Sequence, residues 1–166
     1  KYLKNNFNLS MSLYQRDASD IIDYVKNNEA EPWQASNIRE IITNGFELNM
    51  EYKFYLGAFR MQNINIGYSN INDELLETNF AFSRYALNSL KNQITATYMF
   101  EVNEKISSTL SYKNAERTDE ENYTVVDFKT TYKLKRFTLS LILNNILDTE
   151  YSETNLVPMP GFNSMI

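Results

Sequence analysis

Hydrophobic and polar residues alternate along most of this chain with a period of two, which is typical of β-strands whose two faces differ. The clearest stretch covers residues 45–54, where every second side chain is aromatic or aliphatic. The apolar positions are Phe46, Leu48, Met50, Tyr52 and Phe54, and the intervening ones are Gly45, Glu47, Asn49, Glu51 and Lys53. One face of this strand is therefore predicted to meet an apolar environment and the other an aqueous one.

The same alternation recurs on both sides of this stretch. The further apolar positions are Phe7, Leu9, Met11 and Leu13, then Ile64, Ile66 and Tyr68, then Ile94, Ala96, Tyr98 and Phe100, then Ile106, Leu110 and Tyr112, then Val126, Phe128 and Tyr132, and then Phe137, Leu139, Leu141 and Leu143. A last strand is predicted to begin after Gly161. Because successive strands usually pair, the chain is predicted to be all-β, an antiparallel up-and-down meander of about eight strands. Its apolar residues should share one face.

The connections between the predicted strands alternate between long and short. The long ones cover residues 17–36, 71–83, 115–122 and 148–158, and the short ones cover residues 55–60, 101–105 and 133–136. A meander places all long connections on one edge of the sheet, as in outer-membrane barrels with long extracellular loops and short periplasmic turns. The segment "DIIDYV" fits either a helical turn or, as we favour, a prolongation of the first strand above the membrane.

The charges divide in the same way. The long connections carry most of the 21 acidic residues. The opposite edge carries the basic residues Lys53, Arg60, Lys105, Lys133, Lys135 and Arg136. Aromatic residues of the apolar face also fall near strand ends, where membrane-interface girdles are expected. The two edges of the sheet are therefore predicted to lie in different surroundings.

Composition removes several classes of function. The 166-residue chain has no Cys and no His, which excludes disulfides, thiolate or imidazole metal sites and catalysis that needs either residue. Its net charge of −5 disfavours nucleic acid as a partner. No run approaches the length of about 20 apolar residues that a membrane helix needs, but a barrel strand needs only about 9–11 residues, half of them polar. The chain begins with Lys1 rather than Met, so an interior fragment is expected.

Two short motifs follow the strand at residues 137–144. The first is formed by Asn145, Ile146, Leu147, Asp148 and Tyr151, and the second by Pro158, Pro160 and Gly161. This combination resembles the C-terminal end of TonB-dependent outer-membrane receptors, although the family usually has Arg where this chain has Phe162. The resemblance covers nearly the whole chain, including a Gly-hydrophobic-Glu strand at residues 45–47. The segments "DIIDYV" and "SRYALNSLKNQ" are similar to the cobalamin-receptor branch.

The resemblance implies a 22-stranded barrel in the bacterial outer membrane, filled by an N-terminal plug. Such receptors bind a scarce nutrient, an iron chelate or cobalamin, and the TonB complex supplies energy through a motif ahead of the plug. Residues 1–166 would be the C-terminal part of the barrel, roughly its last eight strands, with the plug absent and the last strand truncated. The implied partners are outer-membrane lipid and lipopolysaccharide, the plug domain, the TonB complex and a small-molecule nutrient.

Candidate ligand contacts lie in the long connections, because loops on a rigid scaffold commonly carry binding. They are Trp33, Tyr24 and Tyr85, for which ligand contact and simple loop packing both stay open. The lumen-facing candidates are Glu47, Glu51, Asp127 and Lys129, which would line a transport path or pair with a neighbouring strand or the plug.

Adjacent loop acids such as Glu120 and Glu121 are expected to be solvated or neutralised by divalent ions beside lipopolysaccharide. A catalytic carboxylate needs a pocket that perturbs it, and a calcium loop needs ligand spacing with a Gly turn. The sequence offers neither, so no enzyme activity, cofactor or metal site is expected.

Three classes of function compete. An outer-membrane nutrient receptor is favoured. The alternative is a small eight-stranded outer-membrane barrel with a structural or adhesion role, but its narrow interior would have to be filled by side chains, whereas small Ser, Thr and Asn residues suit a wide barrel. A soluble β-sandwich would expose too much apolar surface. The flanking coding sequence separates the first two classes, and detergent dependence separates both from the third.

Overall fold

The chain folds into one antiparallel β-sheet. A computed structural model describes residues 2–4, 6–57, 60–76, 81–83, 90–117, 122–153 and 157–166. The strands are β1 (Tyr2–Lys4), β2 (Phe7–Lys26), β3 (Gln34–Leu56), β4 (Arg60–Leu76), β5 (Phe82–Ser83), β6 (Leu90–Asn103), β7 (Ile106–Arg117), β8 (Tyr123–Lys133), β9 (Thr138–Asn144) and β10 (Asn163–Met165). They pair in the order β1-β2-β3-β4-β6-β7-β8-β9-β10, with β5 against β2. The predicted all-β antiparallel meander is confirmed.

The register places the alternating residues on two distinct faces, because residues directly opposite each other in an antiparallel sheet share a face. One continuous row across the sheet consists of Tyr52, Ile64, Tyr98, Leu110, Phe128 and Leu143. Leu48 alternates with Tyr52 along β3, and Leu139 alternates with Leu143 along β9. Leu48 and Leu139 therefore lie on one common face, as predicted.

The apolar face is open to its surroundings rather than packed against a second layer. The side chains of Leu13 and Phe137 are each 73% exposed, and that of Leu139 is 54% exposed. Among the residues that the structure describes, the buried hydrophobic ones lie toward the long-connection edge and are Val25, Ile41, Ala115, Tyr123 and Val125. Among the described residues, no helix has the length and hydrophobicity to cross a membrane.

The strands of the first hairpin are longer than the sequence predicted. Strand β2 continues to Lys26 and β3 begins at Gln34, so the predicted long connection at residues 17–36 is wrong and the loop covers only residues 27–33. The period of two fails in this region, where Ile21 and Ile22 are adjacent, yet the backbone ladder continues from Asp17–Ile42 to Val25–Gln34. The favoured interpretation of "DIIDYV" as strand is confirmed.

Two other predicted long connections are shorter for the same reason. Strand β4 extends to Leu76 rather than ending before residue 71, and β7 extends to Arg117 rather than ending before residue 115. Backbone pairing with a neighbour continues wherever that neighbour is present, whether or not the side chains alternate in polarity. The short connections lie where they were predicted, after β3, β6 and β8.

The N-terminal stretch and the connection after β4 contain two unpredicted strands. The first predicted strand, whose apolar positions start at Phe7, is preceded by a separate strand, Tyr2–Lys4, which pairs antiparallel with Phe7, Asn8 and Leu9. Strand β5 pairs with the tip of β2, with Ser83 opposite Val25 and Phe82 opposite Lys26. Since Val25 already pairs with Gln34 of β3, β5 occupies the other edge of β2.

Candidate functional site

The polar face carries the candidate lumen residues. A row across it consists of Asn8, Glu51, Asn65, Thr97, Ser111 and Asp127, all directly opposite one another. Glu47 and Lys129 alternate with members of this row along their own strands, so all four predicted lumen residues lie on this face. Small polar side chains line a shallow groove across β2, β3, β4 and β6. Water or a polar segment fits such a surface better than an apolar ligand does.

Glu51 and Lys53 form an ion pair on this face. The distance from Lys53 Nζ to Glu51 Oε1 is 2.7 Å. Asn63 Nδ2 donates to Glu51 Oε1 at 3.3 Å and Asn8 Nδ2 donates to Glu51 Oε2 at 3.5 Å. The carboxylate of Glu51 is therefore engaged by its own sheet.

Asp127 holds the end of β9. Its Oδ1 accepts a hydrogen bond from the backbone N–H of Asn145 at 2.8 Å. Lys129, by contrast, is exposed and lies opposite Thr109 and Ile142. The two residues were predicted with the same role, but Asp127 has a definite structural partner.

The first C-terminal motif is a turn whose residue types follow from its backbone. Asn145 and Asp148 both have a φ of 50°. This value lies in the left-handed region, which Asn and Asp tolerate better than other residues with side chains. The side chain of Asn145 is buried, donating to the carbonyls of Thr149 at 2.9 Å and Pro160 at 3.2 Å. Its Oδ1 accepts from Thr149 N at 3.0 Å. One amide thus ties the exit of β9 to the second motif.

The second motif is fixed to the first through Asp148. Its Oδ1 accepts from Phe162 N at 2.7 Å, and a Cβ at Gly161 would lie 2.6 Å from the same oxygen. Only glycine lets the carboxylate come this close to the backbone entering β10. Pro158 of the second motif forms an isolated antiparallel bridge with Ser152.

The connection after β9 also folds over the polar face, where it meets β7 and β8. Lys113 Nζ and Glu153 Oε1 form an ion pair. The rings of Tyr123 and Tyr151 are stacked with centroids 4.7 Å apart, and Lys113 Nζ lies 5.5 Å and 5.4 Å from them. We call Lys113, Tyr123, Tyr151 and Glu153 the Lys113 cluster. It rests on the buried side chains of Ala115 and Val125.

The electrostatics of the cluster follow from these contacts. The hydrogen bond from Lys113 holds the pKa of Glu153 below its usual range, with a smaller contribution from Arg117, while partial burial opposes it. Burial raises the pKa of the Tyr151 phenol. The ammonium of Lys113 therefore favours the ionised form of the Glu153 carboxyl group.

The sequence analysis assigned Tyr151 to a motif, and it missed Lys113, Tyr123 and Glu153. The only available signal was that β7 and β8 are consecutive predicted strands, which brings Lys113 and Tyr123 close in any hairpin that they form. Nothing local pointed to Glu153, which lies 40 residues along the chain from Lys113.

The predicted ligand contacts lie at the tip of the β2–β3 hairpin or outside the described residues. Trp33 is half-buried, and the Lys26 ammonium lies 4.9 Å from the centroid of its ring and 5.3 Å from that of Phe82. Tyr24 is 50% exposed. Tyr85 lies outside the residues that the structure describes. Trp33 thus packs against Lys26 at the tip of the hairpin, whereas the side chain of Tyr24 is exposed.

Acidic residues do not gather into a metal site in the described ranges, where no three Asp or Glu side chains come together as ligands.

A family model described as "TonB dependent receptor-like, beta-barrel" matches residues 1–146 of the chain. No curated protein and no solved structure matches it.

Proposed function

The chain belongs to the TonB-dependent receptor-like β-barrel family, and on that premise we propose that it is the C-terminal barrel portion of an outer-membrane receptor that takes up cobalamin or a ferric chelate. The family is an outer-membrane class of receptors and transporters rather than enzymes.

The proposal is carried by the shape of the sheet, which has one exposed apolar face and one polar face. The strands of this sheet are also prolonged at its long-connection edge. The regular alternation of apolar and polar residues in β3 starts at Phe46, but the strand itself starts at Gln34. At about 3.3 Å per residue, those 12 residues add about 40 Å of length along the strand. A hairpin of that reach stands clear of a bilayer and can meet a ligand before it enters the barrel.

The remaining partners follow from the two faces. The apolar face would contact outer-membrane lipid and, on the long-connection side, lipopolysaccharide. The polar face, with Glu47, Glu51 and Lys129, would line a lumen filled by the receptor's own plug domain. The TonB complex would act on a part of the receptor ahead of this chain.

Ligand recognition is proposed to reside at the long-connection edge. Tyr24 lies on β2, and Trp33 lies at the end of the loop that joins β2 to β3. An aromatic side chain can stack on a corrin or an aromatic chelate. Tyr85, which belongs to the neighbouring connection, is proposed as a third contact.

The test is to delete residues 27–33 in the full-length receptor. Residues 27–33 lie between β2 and β3 and belong to neither strand, so barrel assembly should be unaffected while ligand binding weakens. Cyanocobalamin and a set of ferric chelates are titrated in parallel against the intact and deleted receptors, with Tyr24→Ala and Trp33→Ala as point variants. Equal binding of every ligand by both receptors would refute the loop assignment. Binding of cobalamin alone by the intact receptor would identify the branch.

A small closed barrel is not favoured as the alternative. A closed barrel needs its first and last strands to pair with each other. In the part of the chain that the structure describes, β1 pairs with β2 and β10 pairs with β9, but β1 and β10 do not pair with each other. Small side chains also cover the polar face, which leaves space that a narrow barrel would have to fill.

A further inference from the structure

The apolar face of the sheet carries an open hollow at Ala96. This residue lies on β6 directly opposite Ile66 of β4 and Tyr112 of β7, so its short side chain stands between two larger ones. The hollow has a volume of about 260 Å³. Its wall is formed by larger side chains of β3, β4, β6 and β7, which are Phe54, Ile64, Ile66, Tyr98, Leu110 and Tyr112. The lining of the hollow is therefore almost wholly apolar.

The hollow is open to the surroundings of the sheet, and the polar group beside it already has partners. The side chains of Ile66 and Leu110 are 40% and 42% exposed. Tyr98 Oη donates to Gln62 Oε1 at 2.5 Å, and Gln62 Nε2 donates to the carbonyl of Glu101 at 3.3 Å. The side chain of Gln62 is only 2% exposed. A hydrocarbon chain could therefore lie along the hollow without burying an unpaired amide.

A cation lies on the same face at the short-connection edge. Arg60 begins β4 and is an even number of positions from Ile64 and Ile66, so it projects from the apolar face as they do. It is exposed, and its guanidinium has no ion-pair partner among the residues that the structure describes. Lys105, which is exposed in the turn between β6 and β7, adds a second positive charge at this edge. An anionic group would therefore find a partner beside the strands that form the hollow.

The separation of the hollow from Arg60 matches the depth of one membrane leaflet. Arg60 lies six residues before Ile66 along β4. This separation is about 20 Å along the strand at roughly 3.3 Å per residue. Strands of outer-membrane barrels are tilted by about 40°, so it corresponds to a depth of about 15 Å. The hydrocarbon core of a bilayer is about 30 Å thick, and each leaflet contributes about half of it. A lipid whose headgroup lies at Arg60 would therefore reach the hollow with its hydrocarbon chain.

We propose that the hollow and Arg60 form a site for one anionic phospholipid, whose hydrocarbon chain fills the hollow at Ala96 and whose phosphate binds Arg60. A guanidinium binds phosphate through two parallel hydrogen bonds. Short connections of outer-membrane barrels face the periplasm, so the lipid comes from the periplasmic leaflet rather than from lipopolysaccharide. The inference concerns the membrane side of the sheet and goes beyond the nutrient that the receptor binds.

The test uses the full-length receptor in detergent, with heat-modifiable gel migration as the check that every variant has assembled. Native mass spectrometry measures the Kd for two probes that have the same acyl chains. They are palmitoyl-oleoyl phosphatidylglycerol, which is anionic, and palmitoyl-oleoyl phosphatidylethanolamine, which is zwitterionic. The variants are Arg60→Gln, which removes the charge, and Ala96→Leu, which fills the hollow.

The two variants should weaken lipid binding in different ways. Arg60→Gln should raise the Kd for phosphatidylglycerol about tenfold and that for phosphatidylethanolamine much less, because the ammonium of the latter already offsets its phosphate. Ala96→Leu should raise both Kd values about fourfold or more, since each displaced methylene group loses roughly that factor. Two matched controls should change neither value. Arg136→Gln alters an exposed cation between β8 and β9, and Val126→Leu lies in the same row as Ala96 but outside the hollow.

Other outcomes would overturn the inference. If the wild-type receptor binds both lipids equally, Arg60 does not recognise the headgroup. If each control variant acts like its counterpart, the lipids only coat the surface. If Ala96→Leu converts a dimeric receptor into a monomer, a second copy of the chain occupies the hollow instead of a lipid. Titration of cobalamin and ferric chelates tests the receptor function separately, and its failure would leave the lipid result intact.

Discussion

The ring of Tyr14 on β2 lies in the space above Gly45 on β3. The two residues are direct partners in the register, and a Cβ built on Gly45 would overlap the Tyr14 ring. An aromatic side chain that covers a cross-strand glycine replaces the packing that the glycine lacks. The glycine of the Gly-hydrophobic-Glu strand thus has a local steric reason that applies whatever the receptor binds.

Enlarging Gly45 should therefore destabilise the barrel through Tyr14. Gly45→Val forces the ring out of its position and should cost about 1–3 kcal/mol, the usual range for overpacking. Combining it with Tyr14→Ala should recover part of that loss. The measurement is urea unfolding of the full-length receptor in lipid vesicles, as a double-mutant cycle. Additive effects of the two changes would contradict the contact.

The lipid-facing and lumen-facing sides of β9 should respond differently to a charge. Leu141 lies opposite Thr130 on the apolar face, and Ser140 lies opposite Thr131, with Oγ and Oγ1 3.1 Å apart, on the polar face. Leu141→Arg should cost about 2–4 kcal/mol of barrel stability, because the charge enters hydrocarbon. Ser140→Arg should cost much less. Equal losses in the same unfolding assay would mean that the faces are reversed.

The contact between Asp148 and Gly161 should control how β10 docks on β9. Gly161→Ala places a methyl group against Asp148 Oδ1 and should displace the backbone that leads into β10. Asp148→Ala removes the hydrogen bond to Phe162 N and should cost about 1.5–3 kcal/mol, as expected for a bond to a charged group. Hydrogen exchange at Asn163–Met165 reports the docking. The matched control is Glu150→Ala, which alters an exposed acid nearby and should leave exchange unchanged.

The connection after β9 should loosen in acid. Because Lys113 lowers the pKa of Glu153, the ion pair contributes fully above the pKa of an unpaired Glu, about 4.3, and its contribution is lost as pH falls through the lowered value. A spin label at Glu150, an exposed position, should become more mobile below about pH 4. In Lys113→Met the label should be mobile at every pH. A label whose mobility is independent of pH in the wild-type background would refute the ion pair as the fastening.

The alternation of the sequence determined the faces and the meander. A strand in contact with lipid on one side and water on the other has to repeat every two residues, so Leu48 and Leu139 could be assigned to one face without coordinates. The motif around Asn145 was also recognisable, because left-handed backbone positions restrict the residue types that occupy them.

Only the tertiary structure decided where each strand ends once its two faces no longer differ in polarity. Beyond the apolar band the two faces no longer differ in polarity, so the period of two fades while backbone pairing continues. Strand β2 therefore extends to Lys26, and β3 starts as early as Gln34. The docking of β5 on β2 and of Glu153 on Lys113 depends on how far and in which direction the connections fold. Such contacts join residues distant along the chain, and no local pattern encodes them.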